Sequence, residues 1–324
     1  MEKVSEVYKN LYHYTSWAGL QGILASQSMW ASNIKYLNDQ SELLLAREPI
    51  HRLLLPKINS IIEEKIASSE QAKKFLDSNG GSKKFAEELA RKFINATYHI
   101  TGTDFYVVSF CKDSSNEYIK ENGLLSQWRG YGSGGGFAIV FAAKDMELLL
   151  EHESKQYDYG PSNFSDAIYS DDAKMFESEF VPVINDFIEY IGEMVRQMVF
   201  GGQDPDGSKA MAALFWCTTR YKHLAFKEEN EVRIVAAPTN QTQEYIDAHR
   251  KSGKAIQPLK QVKVRTANGK PIPYIELFGF PDHKLPISKI IVGPSADKEM
   301  IAAAVGKLVI GTKIEVTVSD IPYV

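Results

Sequence analysis

The chain has little of what would hold together a small secreted fold. It carries only two cysteines, Cys111 and Cys217, in 324 residues. Neither has a partner at metal-ligand spacing, so both read as reduced, buried residues of a cytoplasmic protein. No apolar run approaches the roughly 20 residues that a membrane span needs. The opening from Met1 to Glu6 is too polar for a signal peptide. Excess positive charge is also lacking: the formal net charge is -4, which argues against a protein that coats nucleic acid electrostatically. There is no internal repeat and no low-complexity linker. What remains is an ordinary soluble, globular composition, 44% hydrophobic and 24% charged, long enough for one large domain or two smaller ones.

One local absence stands out. No acidic residue occurs from Ala248 to Ile275, while Arg250, Lys251, Lys254, Lys260, Lys263, Arg265 and Lys270 all fall inside. A basic segment in an acidic chain reads as a solvated loop and edge strand, with phosphate contact as the other reading.

Apolar spacing predicts a strand over 9–15 that ends at the N-cap residues Thr15 and Ser16, followed by a helix carrying Trp17, Leu20, Ile23 and Leu24. A second strand is expected at 28–32. Helices are expected over 39–67, interrupted by Pro49 and Pro56, and over 69–96, broken by Ser78-Asn-Gly-Gly-Ser82. The β-branched and aromatic run Phe105–Cys111 predicts a buried strand. A helical turn or two follows at Leu124–Tyr131, then a strand at 137–141. Helices are expected over 171–200 and 208–226, strands at 232–236, 274–278, 287–292 and 314–318, and a helix at 297–308. The fold class is α+β: a mixed sheet with large helical insertions at about 39–96 and 171–226, folded as one domain.

Glycines are dense in Gly130-Tyr-Gly-Ser-Gly-Gly-Gly136, but phosphate loops follow a strand and open a helix. Here a helical segment precedes the glycines and a strand follows them. Two readings are open, a connection that lets backbone pass close to a ligand and a plain helix-to-strand turn. A different segment carries more chemistry. Phe226-Lys-Glu-Glu-Asn-Glu-Val-Arg233 places Glu229, Glu231 and Arg233 at alternate positions before the apolar run Ile234–Ala237. In a strand all three would share a face. A solvated Glu–Arg pair and a site carboxylate are both consistent with that spacing.

Leu11-Tyr-His-Tyr-Thr15, followed by Leu20-Gln-Gly-Ile-Leu24, resembles the opening of ADP-ribosyltransferases, and most of all the bacterial toxins that modify DNA. Further strings are similar to a large bacterial domain family of uncharacterised function: Leu37-Asn-Asp-Gln-Ser-Glu42, Ser109-Phe110, Gln127-Trp-Arg-Gly-Tyr131, Phe226 to Arg233, and Ile290-Ile-Val-Gly-Pro294. The resemblance implies an ADP-ribosyltransferase-like split sheet and NAD as substrate, with no metal. It implies Glu231 as the carboxylate that stabilises ribose charge and Glu229 as the acceptor-orienting partner, with the two exchangeable. His13 would meet a ribose hydroxyl and Thr15 would steady the adenosine side, with Tyr14 and Ser109 also among the residues that bind the dinucleotide. Tyr131 and Trp128 would stack on nicotinamide, and Arg233 would contact either pyrophosphate or a neighbouring carboxylate. Asn38 and Asp39 would cap a helix or form a substrate wall. The Ser-Thr-Ser motif of some transferases has no match; Val108-Ser-Phe110 is the nearest string.

The acceptor is open between nucleic acid, protein, a small molecule and water, and a toxin or anti-phage role is implied by analogy alone. Two other classes compete. A metal-dependent nuclease would draw on Asp39, Glu42, Asp113, Glu229 and Glu231. A non-catalytic module would sense a nucleotide or a partner through the same cleft.

Overall fold

The computed structural model describes residues 3–36, 42–66, 69–98, 104–132, 135–170, 173–253, 255–267 and 269–322. The chain divides into two compact units, one formed by 1–38, 104–167 and 225–324 and the other by 39–103 and 168–224. In chain order the strands are β1 Asn10–Thr15, β2 Met29–Asn33, β3 Tyr106–Lys112, β4 Phe137–Ala142, β5 Tyr159–Asp166, β6 Ile168–Tyr169, β7 Tyr221–Lys222, β8 Glu231–Pro238, β9 Lys263–Ala267, β10 Lys270–Leu277, β11 Ile287–Val292 and β12 Glu315–Val318. The helices are α1 Val4–Val7, α2 Trp17–Ser26, α3 Glu42–Leu45, α4 Arg47–Ile61, α5 Glu70–Ser78, α6 Ser82–Tyr98, α7 Glu117–Asn122, α8 Leu125–Tyr131, α9 Ala143–Gln156, α10 Ala173–Phe200, α11 Ser208–Arg220, α12 Gln243–Ser252 and α13 Lys298–Leu308.

The first unit is built on a ten-stranded mixed sheet in the order β12-β11-β4-β1-β3-β2-β10-β9, with β8 and then β5 added at β3. Among the described residues of this sheet only β11 and β12 pair in parallel; the other pairs are antiparallel. The pleat divides the side chains between two faces. Leu11, Val108, Phe110, Ile139, Val232 and Ile234 point to one face, where α2, α9 and α13 supply Leu20, Ile23, Met146, Leu149 and Val305. The opposite face is covered in part: Tyr12, Tyr14, Cys111 and Val140 pack there against Trp128 of α8 and Ile321.

The second unit is helical. Ile50, Leu54 and Ile58 of α4 recur at helical spacing and pack with Phe93 of α6, Phe187 and Ile191 of α10, and Leu214 of α11. Pro56, expected to interrupt, lies inside α4. The proline removes one N–H, but the packed stripe on either side holds the helix together. Pro49 falls in the first turn, where no intrahelical donor is needed. The helix expected to run to 226 stops at Arg220, because Tyr221 and Lys222 pair in parallel with Ile168 and Tyr169. Short periodic segments at α7, α9, β5 and α12 were not legible in the sequence. Among the described residues no helix is long and apolar enough to cross a membrane.

The basic segment splits in character. Its β9 is an edge strand, as expected. Lys260, however, is not solvated: its side chain is 8% exposed and pairs at 2.8 Å with Glu153, itself 0% exposed. The same carboxylate accepts from the Tyr159 hydroxyl at 2.7 Å and from the Phe278 N–H at 3.0 Å. Lys260 also sits 3.8 Å over the Tyr157 ring. One buried acid thereby ties α9, β5, the end of β10 and the segment before β9. Lys260→Met removes the partner and leaves the acid buried, so unfolding in urea should show a loss of about 3–5 kcal/mol; a change within about 0.5 kcal/mol would refute this account of the tie.

Candidate functional site

The sheet parts beside β3. Along one edge β3 pairs with β8 from Tyr106 to Cys111. Its other edge is shared. Tyr12 of β1 pairs with Cys111 at one end, and Ser32 of β2 pairs with Val107 at the other. Beyond Tyr12, β1 stays with β4 as far as Thr15 but leaves β3. The Ser109 carbonyl lies in the gap between them, and the His13 ring takes the place of a neighbouring strand there, with Nδ1 2.9 Å from Ser109 O. A carbonyl only accepts, so Nδ1 carries the proton and Nε2 of the neutral ring remains an acceptor. Burial is the main cause that lowers the His13 pKa below the ordinary histidine value; the Ser109 bond opposes the shift and the Arg265 charge adds to it.

Glu231 and Arg233 lie across β3 from this gap. Their register pairs Glu231 with Cys111 and Arg233 with Ser109, which puts them on the face opposite the main core. Glu231 is 3% and Arg233 2% exposed, so the pair is buried rather than a solvated strand face. Arg233 donates from Nε to one carboxylate oxygen at 3.0 Å and from Nη2 to the other at 2.6 Å. Of the two expected roles for Arg233, the structure contains the carboxylate pairing.

Glu229 does not share that face by strand alternation. It closes a 3-10 turn over Leu224–Glu229, and Asn230, in the left-handed region at φ 46°, re-aims the chain before β8 begins. Asparagine tolerates that conformation better than most residues. Glu229 is half-buried and still reaches the Cys111 surroundings. The Cys111 thiol is pushed up to about 12, mainly by burial; Lys112 opposes the rise and Glu229 and Glu231 add to it. Such a thiol stays protonated near neutrality and makes a poor nucleophile.

Two of the expected ring-stacking or binding residues serve the core instead. Tyr14 is buried, accepts from the Leu124 N–H at 2.8 Å, and meets Trp128 edge-on at 4.9 Å. Trp128 donates from Nε1 to the Asn122 carbonyl at 2.9 Å. Its ring is closed in by glycines: a Cβ at Gly123 or Gly293 would come within 2.7 Å of it. Glycine at 293, within the Ile290–Pro294 string, thus makes room for an indole. The described part of the glycine-rich loop is a helix-to-strand turn, with Gly136 so close to Gly132 that a Cβ would lie 2.3 Å from its Cα. Tyr131 is exposed at the end of α8, Ser109 is exposed on β3, and Thr15 is half-buried with its hydroxyl against Gly19. Asn38 and Asp39 lie outside the described residues.

The structure brings to the gap three residues not marked as site residues from the sequence: Ser32, Trp30 and Arg265. Ser32 and Trp30 share a face with Tyr274 and Glu276 of β10, and Arg265 joins them from β9. Nothing in the spacing of seven basic residues separates Arg265 from its neighbours. Among the described residues no group of three or more His, Cys, Asp or Glu is arranged to hold a metal ion.

A family model described as a protein of unknown function, DUF2971, matches residues 127–234. This third of the chain takes in Gln127–Tyr131, the glycines and Glu229–Arg233, but neither the His13 opening nor Ile290–Pro294. No curated protein and no solved structure matches the chain.

Gly293→Ala should destabilise the fold by about 1–3 kcal/mol, read by urea unfolding, because the indole has to shift. The His13 shift has a definite sign. Below about pH 6.5 the unfolded chain takes up the proton more readily than the folded one, so stability is lost as pH falls from there through the lower folded value. Above that window the contribution is fully present. In His13→Gln the loss of stability between pH 7.5 and 5, by denaturant midpoint, should be smaller than in the wild type; an equal or larger loss would contradict the assignment.

Proposed function

We propose that this chain is an NAD-cleaving, ADP-ribosyltransferase-like enzyme whose dinucleotide lies in the gap between β1 and β2. The observation that carries the reading is the parting of β1 and β2 along one edge of β3, with His13 at the parting and a buried carboxylate on the strand across β3. In the reaction the bond between nicotinamide and ribose C1′ breaks, and neutral nicotinamide leaves with the bonding pair. The oxocarbenium-like ribose is then taken by an acceptor oxygen or nitrogen that loses its proton. Little general acid is required, so the protein contributes mainly by holding the dinucleotide and stabilising positive charge on the ribose.

Glu231 is suited to that second task. Arg233 holds both of its oxygens in place, and a carboxylate fixed in this way can accept from a ribose hydroxyl. His13, with its proton on Nδ1, offers Nε2 as acceptor to a ribose hydroxyl. Tyr131, 46% exposed, suits a flat ring better than the enclosed Trp128 does. Glu229, half-buried on its own turn, is the partner for the acceptor.

One observation favours a second reading. Glu231 is 3% exposed and engaged at both oxygens, an arrangement equally suited to a module that binds a nucleotide without cleaving it.

Incubation of purified protein with NAD, with lysate as a source of acceptors and free nicotinamide read by mass spectrometry, separates the two. The enzyme reading expects release without added metal, lowered about 100-fold or more in Glu231→Gln and about tenfold or more in His13→Ala. Glu231→Gln strips a buried guanidinium of its counter-charge, so its rate is taken per folded molecule as judged by circular dichroism. Saturable binding with NAD recovered intact would replace the enzyme by the sensing module.

A further inference from the structure

We propose that Arg265, with Ser32 and Trp30, forms an anion site at the gap between β1 and β2, built for a ligand of the phosphate monoester or diphosphate class. It does not rest on NAD cleavage and goes beyond that reading. Arg265 donates from Nη2 to Ser32 Oγ at 3.0 Å. Its Nε is buried and has no hydrogen-bond partner. Lys263, two residues earlier on the same face, has Glu276 at 2.7 Å. Among the described residues Arg265 has no carboxylate at ion-pair distance. Arg265 is half-buried, and a buried guanidinium N–H without an acceptor costs free energy that a bound anion would offset.

The surroundings offer donors. The Trp30 Nε1–H is a second buried donor with no acceptor, and the Arg265 guanidinium carbon lies 6.0 Å from the Trp30 ring. His13 is close enough that the Arg265 charge disfavours its protonated form. Burial in turn holds the guanidinium below the ordinary arginine range. A carboxylate ligand would be satisfied by the two-pronged guanidinium alone. A phosphate presents three terminal oxygens, enough for the guanidinium, the indole N–H and the Ser32 hydroxyl together. The geometry thus matches a phosphate rather than a neutral ligand or a simple carboxylate.

The test is calorimetric titration of the full chain with inorganic pyrophosphate at about 150 mM salt, where diffuse surface attraction is largely screened. Sodium acetate is a parallel arm. Wild type should bind one pyrophosphate per chain saturably and acetate not at all. Arg265→Gln should weaken binding at least tenfold, whereas Lys251→Gln, an exposed change in the same basic segment, should alter it less than twofold. Arg265→Gln should also melt at or above the wild-type temperature, because the change removes a buried N–H that has no acceptor. In the wild type alone, the Trp30 indole N–H resonance, assigned with Trp30→Phe, should move with the same midpoint. Displacement of pyrophosphate by ADP would mark a nucleotide as the source of the phosphate, and lack of displacement a free phosphate compound. No saturable binding, undiminished binding in Arg265→Gln, or a stationary indole resonance would overturn the assignment. A chain that binds pyrophosphate but releases no nicotinamide would retain this site and lose the enzyme reading.

Discussion

A strand has two edges, and each offers a finite row of backbone donors and acceptors. β3 gives one whole edge to β8 and divides the other between β1 and β2. That division forces the two halves of the sheet apart, because β1 must follow β4 while β2 follows β10. A carbonyl left in the gap needs a donor. His13 supplies one from its side chain, which ties a titratable ring to the place where the sheet opens. The position of the candidate site follows from that shared edge.

Three charged arrangements show how differently the same fold treats charge. Glu153 is surrounded by Lys260, a tyrosine hydroxyl and a backbone N–H, and acts as a fastening between elements. Glu231 and Arg233 satisfy one another within a single strand, two residues apart on one face. Arg265 has a serine hydroxyl and, among the described residues, no counter-charge at ion-pair distance. The first two arrangements are self-sufficient in the protein alone. The third has unused donors, which is why it directs attention to a ligand while the conspicuous Glu–Arg pair is equally at home as structure.

Much of the fold was legible where periodicity is strong. β1, α2, β2, β3, β4 and β11 stand within a residue or two of their expected positions because apolar alternation or helical spacing decides them locally. The misses have physical causes. Pro56 was read as a break, but the packing of α4 outweighs one missing hydrogen bond. Glu229 was placed on a strand face, but Asn230 turns the chain between it and Glu231. The packing of Trp128 and Tyr14 is set by Gly123, Gly293 and Leu124, far from one or both of them in sequence, which no local spacing shows.

The sequence by itself determined the mixed α+β character of the chain, the alternation that puts Glu231 and Arg233 on one side of their strand, and the presence of His13 in an aromatic strand. These depend on neighbours within a few residues, where propensity and pleat set the answer. Tertiary structure alone decided that β1 and β2 share one edge of β3, that Lys260 is buried on Glu153, and that Arg265 bonds Ser32 with no acid at ion-pair distance among the described residues. Those outcomes join residues at least seventy positions apart. Which distant charges meet is set by strand register and packing, and no local spacing encodes it.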